Sequence, residues 1–177
     1  MAELNPDLER RLENEADGFA RRMEFHESLV RELGLLSHFT DHHWTVRWIS
    51  VALLHLLDHD AERYLGRPVD VIRSDSTPLV HPKYRDVFLA NQEARVVLKA
   101  DKSFLPDVCV KLLVPPGNRH EPRPGEYFAH IRSIPLFGDD LPLSYGTLTV
   151  FTLMRTAAFL KPIDSSEKDF SDSTPIN

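Results

Sequence analysis

The sequence predicts an α+β domain: an antiparallel sheet of about five or six strands with two N-terminal helices packed on it. Three features carry that prediction. Tyr127–Phe137 and Tyr145–Leu153 are β-rich runs joined by the short polar link Gly138-Asp139-Asp140, the pattern of two antiparallel neighbours. Val108–Val114 is a further β-branched run that stops at Pro115-Pro116-Gly117. Ahead of them, Leu12, Ala16, Phe19, Met23, Val30 and Leu33 recur in steps of three and four, with His26 in the remaining place, which is the stripe of an amphipathic helix.

That first helix opens at Pro6, whose missing N–H costs nothing in a first turn, with Asn5 as cap, and it ends near Gly34. Its narrow seam fits a two-stranded coiled coil, and it fits equally a helix lying on its own domain. If the first holds, Leu12, Phe19, Met23, Val30 and Leu33 are the dimerisation residues. A second helix is expected from Thr40 or Asp41 to about Leu65, stopped by Gly66 and Pro68. Its middle, Trp48–Leu57, is apolar around most of its circumference and so should be covered on two sides. Val69–Arg73 then reads as a strand, 84–90 as a helical turn or more, and Ala94–Lys99 as another strand. Residues 116–125, rich in Pro and Gly, form a loop long for a hairpin, a natural place for function. Residues 155–160 continue the last strand or form a short terminal helix. The division expected is 1–36 as an amphipathic helix, 37–164 as one α+β domain and 165–177 as a polar, acidic, disordered tail.

A chain of 177 residues, 42% of them hydrophobic, is enough for one core of ordinary size. The net charge of −6, with basic residues interspersed among acids, argues against a nucleic-acid partner. The longest apolar stretch is too short and too interrupted for a membrane span, and the acidic start lacks a signal-peptide pattern, so the expected location is cytoplasmic. The single Cys109 excludes an intramolecular disulfide and any multi-cysteine zinc site. In its β-branched surroundings it reads as a buried packing residue.

No nucleophile-elbow, phosphate-loop or dinucleotide-binding glycine pattern is present, which removes most support from hydrolase, kinase and dinucleotide readings. His55 and His59 stand one helical turn apart near Asp58, Asp60 and Glu62, downstream of His38, His42 and His43. They are weak metal candidates only: without a third ligand at a recognisable spacing, the pair is expected to be structural, and the protein metal-independent. Strand alternation puts Phe128, His130, Arg132 and Ile134 on one side and Tyr127, Ala129, Ile131 and Ser133 on the other, the second side facing the core. His130 and Arg132, with Tyr127 nearby, are the candidate ligand-binding residues, because a guanidinium fork on a rigid strand suits a carboxylate or phosphate.

The order of elements is similar to that of GAF domains, small GAF/PAS-like sensor modules with a central antiparallel sheet between helices. The residues that carry the resemblance are Leu54–Leu65 leading into Val69–Ile72, Ala94–Leu98 in the middle, and Ile131–Leu136 with Gly146–Val150 as the closing pair. It spans roughly two-thirds of the chain and implies a non-enzymatic sensor, dimeric and ligand-binding. No cofactor is carried over: family members that attach a bilin have a cysteine followed by histidine, whereas Cys109 is followed by Val110, and those that reduce free methionine sulfoxide need more than one cysteine. Two other readings stay open. The strands from Val108 to Leu153 also resemble the chorismate-lyase-like fold, which implies a pocket enzyme with Arg132 orienting a carboxylate substrate. Alternatively the helices bind a protein partner and the chain is an adaptor.

Overall fold

The computed structural model describes residues 5–90 and 107–155. Helix α1 (Pro6–Phe25) starts as expected, with the Asn5 side chain accepting from the Asp7 amide at 2.9 Å. It breaks at His26 and resumes as the short α2 (Glu27–Glu32), and Gly34 closes the helical region at φ 61°. Glycine adopts a left-handed backbone there without the steric cost that a side chain would add.

The expected second helix is corrected. Its first part is a β-hairpin, β1 (Leu36–Asp41) and β2 (Val46–Ile49), and only α3 (Val51–Leu57) is helical. An apolar run that is buried on all sides looks the same whether it is strand or helix, and Thr40, Val46, Trp48 and Ile49 have β-branched or aromatic side chains that suit a pleated surface. Ser50 marks the change: its hydroxyl accepts from the Leu53 amide at the start of α3 and from the Ser37 amide of β1. Asp58, at φ 57°, ends α3. The expected strand at Val69–Arg73 is also corrected, to helix α4 (Asp70–Ser76). Its Val and Ile residues favoured a strand, but Asp70 suits a first helical turn and Ile72 is buried in the core. Residues 85–90 are helical, in agreement with the sequence. The expected strand at Ala94–Lys99, most of 155–160 and the tail lie outside the described residues.

The last three strands follow the sequence closely. They are β3 (Val108–Val114), β4 (Gly125–Phe137) and β5 (Ser144–Arg155). The sheet is antiparallel in the order β2-β1-β5-β4-β3, so the N-terminal hairpin pairs with the last strand rather than with its sequence neighbour. Register pairs Ile131 with Phe151 and Leu36 with Phe151, and places Thr149 between His38 and Ser133.

Each face of the sheet has its own hydrophobic cluster. On one face Leu36, Val110, Ala129, Ile131 and Phe151 meet Leu53, Leu56 and Leu57 of α3, Ile72 of α4 and the fully buried Tyr64. On the other, Phe39, Trp48 and Tyr145 meet Leu12, Ala16 and Ala20 of α1 and Val30 of α2. The helical stripe is therefore packed on its own sheet: Leu12 and Val30 are buried, Phe19 and Met23 are half-buried against the same cluster, and Leu33 is exposed. Phe19 lies 4.6 Å from Phe39 between ring centroids. Of the two placements the sequence left open for the stripe, the one seen within this chain is the helix lying on its own domain.

Candidate functional site

Alternation along β4 is observed as the sequence predicts it. Tyr127, Ala129, Ile131 and Ser133 are buried toward the α3 side, while His130 is half-buried and Arg132 exposed on the opposite face. This divides the three candidate ligand residues. Tyr127 points into the core, with its hydroxyl donating to the Arg123 carbonyl at 2.7 Å, so it cannot share a pocket with His130 and Arg132.

His130 and Arg132 do stand together, on the strip of β4 and β3 that α1 leaves bare, but they are already engaged. Arg132 donates through Nε and a terminal nitrogen to Asp107, at 3.1 and 2.9 Å, and His130 Nε2 lies 3.1 Å from the same carboxylate. The guanidinium holds the Asp107 carboxyl below its ordinary range, and Asp107 in turn raises Arg132. Beside them Lys111 is paired with Glu126 at 2.5 Å. Cys109 belongs to this strip too. It is exposed, not buried, because Val108, Val110, Leu112 and Val114 take the core positions and leave alternate residues outside. Its register partner is His130. A cleft of about 380 Å³ lies away from this strip, between α1 and the β4–β5 link, among Arg11, Glu15, Asp139 and Asp140.

His55 and His59 do not converge. An i, i+4 pair meets only if the helix runs through both residues, and α3 ends at Leu57. His55 instead stacks on His120 of the Pro-rich loop, with centroids 4.0 Å apart and planes 19° apart. Burial, then the neighbouring His120 and Arg31, push its pKa down from 6.5. The loop is thus pinned to α3 and does not close over the outer strip. His59 faces Asp75 at 3.7 Å. Asp75 is the hub of a polar lock between the 3-10 turn Ala61–Arg63 and α4: Arg63 donates two hydrogen bonds to it, at 2.5 and 2.8 Å, and the Tyr64 hydroxyl a third at 2.9 Å. Those donors hold Asp75 below the ordinary carboxylate range, while burial and the Asp75 charge raise Tyr64. Sequence distance hid this lock, because nothing in the spacing of Arg63 and Asp75 marks them as partners.

No protein-family profile matches the sequence, and a search of characterised proteins returns no match. Among solved structures the chain is similar to the PAS domain of BvgS from Bordetella pertussis, at 16% identity and a TM-score of 0.49, over 79% of this chain and 91% of that one. A sensory box sensor histidine kinase from Vibrio cholerae is similar at 9% identity and a TM-score of 0.41, over 80% and 98%. A domain of a light and redox sensing histidine kinase from Haloarcula marismortui is similar at 13% and 0.40, over 72% and 98%. The likeness is thus to PAS domains rather than to GAF domains specifically, and at these values it carries no functional argument. Among the described residues no helix is long and apolar enough to cross a membrane.

Proposed function

We propose that the chain is a non-enzymatic sensory or regulatory module of signal transduction or transcription control, with α1 as the element that carries the signal outward. The observation behind this reading is the separation of the two hydrophobic clusters. Helix α1 is fastened to the sheet by residues that take no part in the α3 and α4 core, so it is built to change its seating while that core stays folded. A strained or repacked sheet would bias such an element in either direction.

A small anionic ligand on the bare strip would meet Arg132 by displacing Asp107, since the fork is otherwise occupied. The module would be cytoplasmic and act as a homodimer joined at the α1–α2 end, where Phe25 is 84%, Leu29 54% and Leu33 61% exposed. The test is a thermal-shift screen of small anionic metabolites and cyclic nucleotides on the wild type, Arg132→Ala and Asp107→Asn. A ligand at one hundred times its dissociation constant adds about 2.7 kcal/mol. The expected hit raises the midpoint of the wild type, acts more strongly on Asp107→Asn, fails on Arg132→Ala and changes amide exchange in α1. If no compound shifts either the wild type or Asp107→Asn, the adaptor reading takes its place.

A further inference from the structure

The turn between β1 and β2 does something an ordinary strand cannot: it sends two successive histidines to the same side. His42 and His43 have ring centroids 4.0 Å apart, and both aim Nε2 at Oε1 of Glu9 on α1. The His42 nitrogen is 3.1 Å from that oxygen, and His43 makes a short contact to it. Consecutive side chains on an extended strand would point to opposite faces. Here the backbone reverses at Trp44, φ 63°, and the Asp41 side chain fixes the turn by accepting from the amides of His43 and Thr45, both at 2.9 Å.

The arrangement is held from several sides. Arg47 of β2 donates to Asp41 and also to Asp17 of α1, tying the helix to the same hairpin. The Trp44 carbonyl accepts from the Val69 amide, so the far side of the turn is anchored as well. The site is thus framed before any ligand enters.

His42 has no adequate structural explanation. Its side chain is only 7% exposed, yet Nδ1 has no hydrogen-bond partner among the described residues. A histidine buried for packing normally has its polar atoms satisfied. This one directs its single engaged nitrogen at a carboxylate that a second imidazole also approaches.

We infer that Glu9, His42 and His43 form a binding site for a first-row divalent transition metal, with zinc the favoured ion, which clamps the first turns of α1 to the β1–β2 turn. The candidate ligand atoms all lie within 4.8 Å of one another. Two ligands of a tetrahedral zinc with bonds of about 2.0–2.1 Å sit roughly 3.3 Å apart, so a small outward movement of the His43 ring admits the ion. Two imidazoles and one carboxylate, with a fourth position for water, suit zinc, cobalt or copper and not calcium or magnesium, which require mainly oxygen ligands. The site would exist whether or not α1 relays a signal.

The test uses the full chain freed of metal with a chelator and titrated with Co²⁺, whose visible bands report tetrahedral nitrogen and oxygen coordination, then with Zn²⁺ as competitor. One Co²⁺ should bind per chain and be displaced by Zn²⁺, and Zn²⁺ should raise the melting midpoint and slow amide exchange in α1. Mg²⁺ and Ca²⁺ should do neither. Both Glu9 and His43 are partly exposed, so Glu9→Gln and His43→Ala should fold, and each should weaken binding by more than the roughly 10–100-fold that loss of a mere supporting partner costs. His55→Ala should leave binding unchanged. Absence of bound Co²⁺, binding that survives both Glu9→Gln and His43→Ala, or loss of binding in His55→Ala would overturn the site. Bound metal that leaves α1 exchange unchanged would overturn the clamp.

Discussion

On the α3 side, all five strands contribute deep positions to a cluster that also takes in α4, Tyr64 and the helical residue Phe88, with the Asp75 lock across its rim. On the opposite side α1, with Val30 of α2, closes over β1, β2 and β5, and the β3–β4 strip beyond it carries ion pairs among the described residues. One sheet thus supports a face with an extensive core and a face with a smaller one. Most of the folding free energy should reside on the first, and substitutions there should be felt throughout the molecule. On the second, the consequences should stay local to α1.

The largest effect expected is from Ile131→Ala, at 1% exposure in the middle of the stable face, which should cost about 3–4 kcal/mol in denaturant unfolding. Next comes Gly146→Ala. A Cβ there would press on the Thr40 carbonyl and the Phe39 ring, forcing β5 away from β1 at the edge of the α1 cluster, and roughly 1–3 kcal/mol should be lost. Phe19→Ala removes a half-buried ring from that cluster and should cost about 1–2 kcal/mol, less than Ile131→Ala because part of the ring already meets water. If Phe19→Ala proves the more damaging of the two, the comparison between faces is wrong.

The smallest effect is a pH dependence at the seam between α3 and the Pro-rich loop. His55 has a lowered pKa in the fold, so the unfolded chain takes up its proton first as the solution is acidified. The contribution of neutral His55 is complete above about pH 6.5 and is lost progressively as pH falls from there through the folded value. Melting curves of wild type and His55→Gln between pH 7.5 and 5, roughly the range in which histidine titrates, should converge on acidification. Asp75, held down by Arg63 and Tyr64, obeys the carboxylate rule: its contribution is present above the unfolded value of about 3.9 and lost below it. Asp75→Asn should therefore flatten the acid limb only at the lower pH.

How far the sequence could be read follows the same division. The strands that pair with near neighbours, β3, β4 and β5, declare themselves by alternation and by Gly and Pro at their ends, and so does the stripe of α1. The opening hairpin did not, because residues buried on both faces lose the period that distinguishes strand from helix. Cys109 was misjudged from its β-branched neighbours when alternation alone places it outside. His55 and His59 would have met had α3 been two residues longer. Glu9 with His42 and His43, Arg63 with Asp75 and Arg132 with Asp107 are contacts made by the fold, and only the last pair includes a residue on a β-strand whose alternation the sequence suggested.

The central claim is that α1 is a separately seated unit on a sheet whose stability lies elsewhere, and native-state hydrogen exchange tests it most directly. Protection should be measured for amides of α1 and of the paired strands β4 and β5 across a series of low denaturant concentrations. The account predicts that α1 amides open through a smaller, local transition, at a free energy below that of β4 and β5 by about 1 kcal/mol or more, with Phe19→Ala lowering the first and sparing the second. If α1 and the central strands exchange at one common free energy with one common denaturant dependence, the helix is part of the global core and the claim fails.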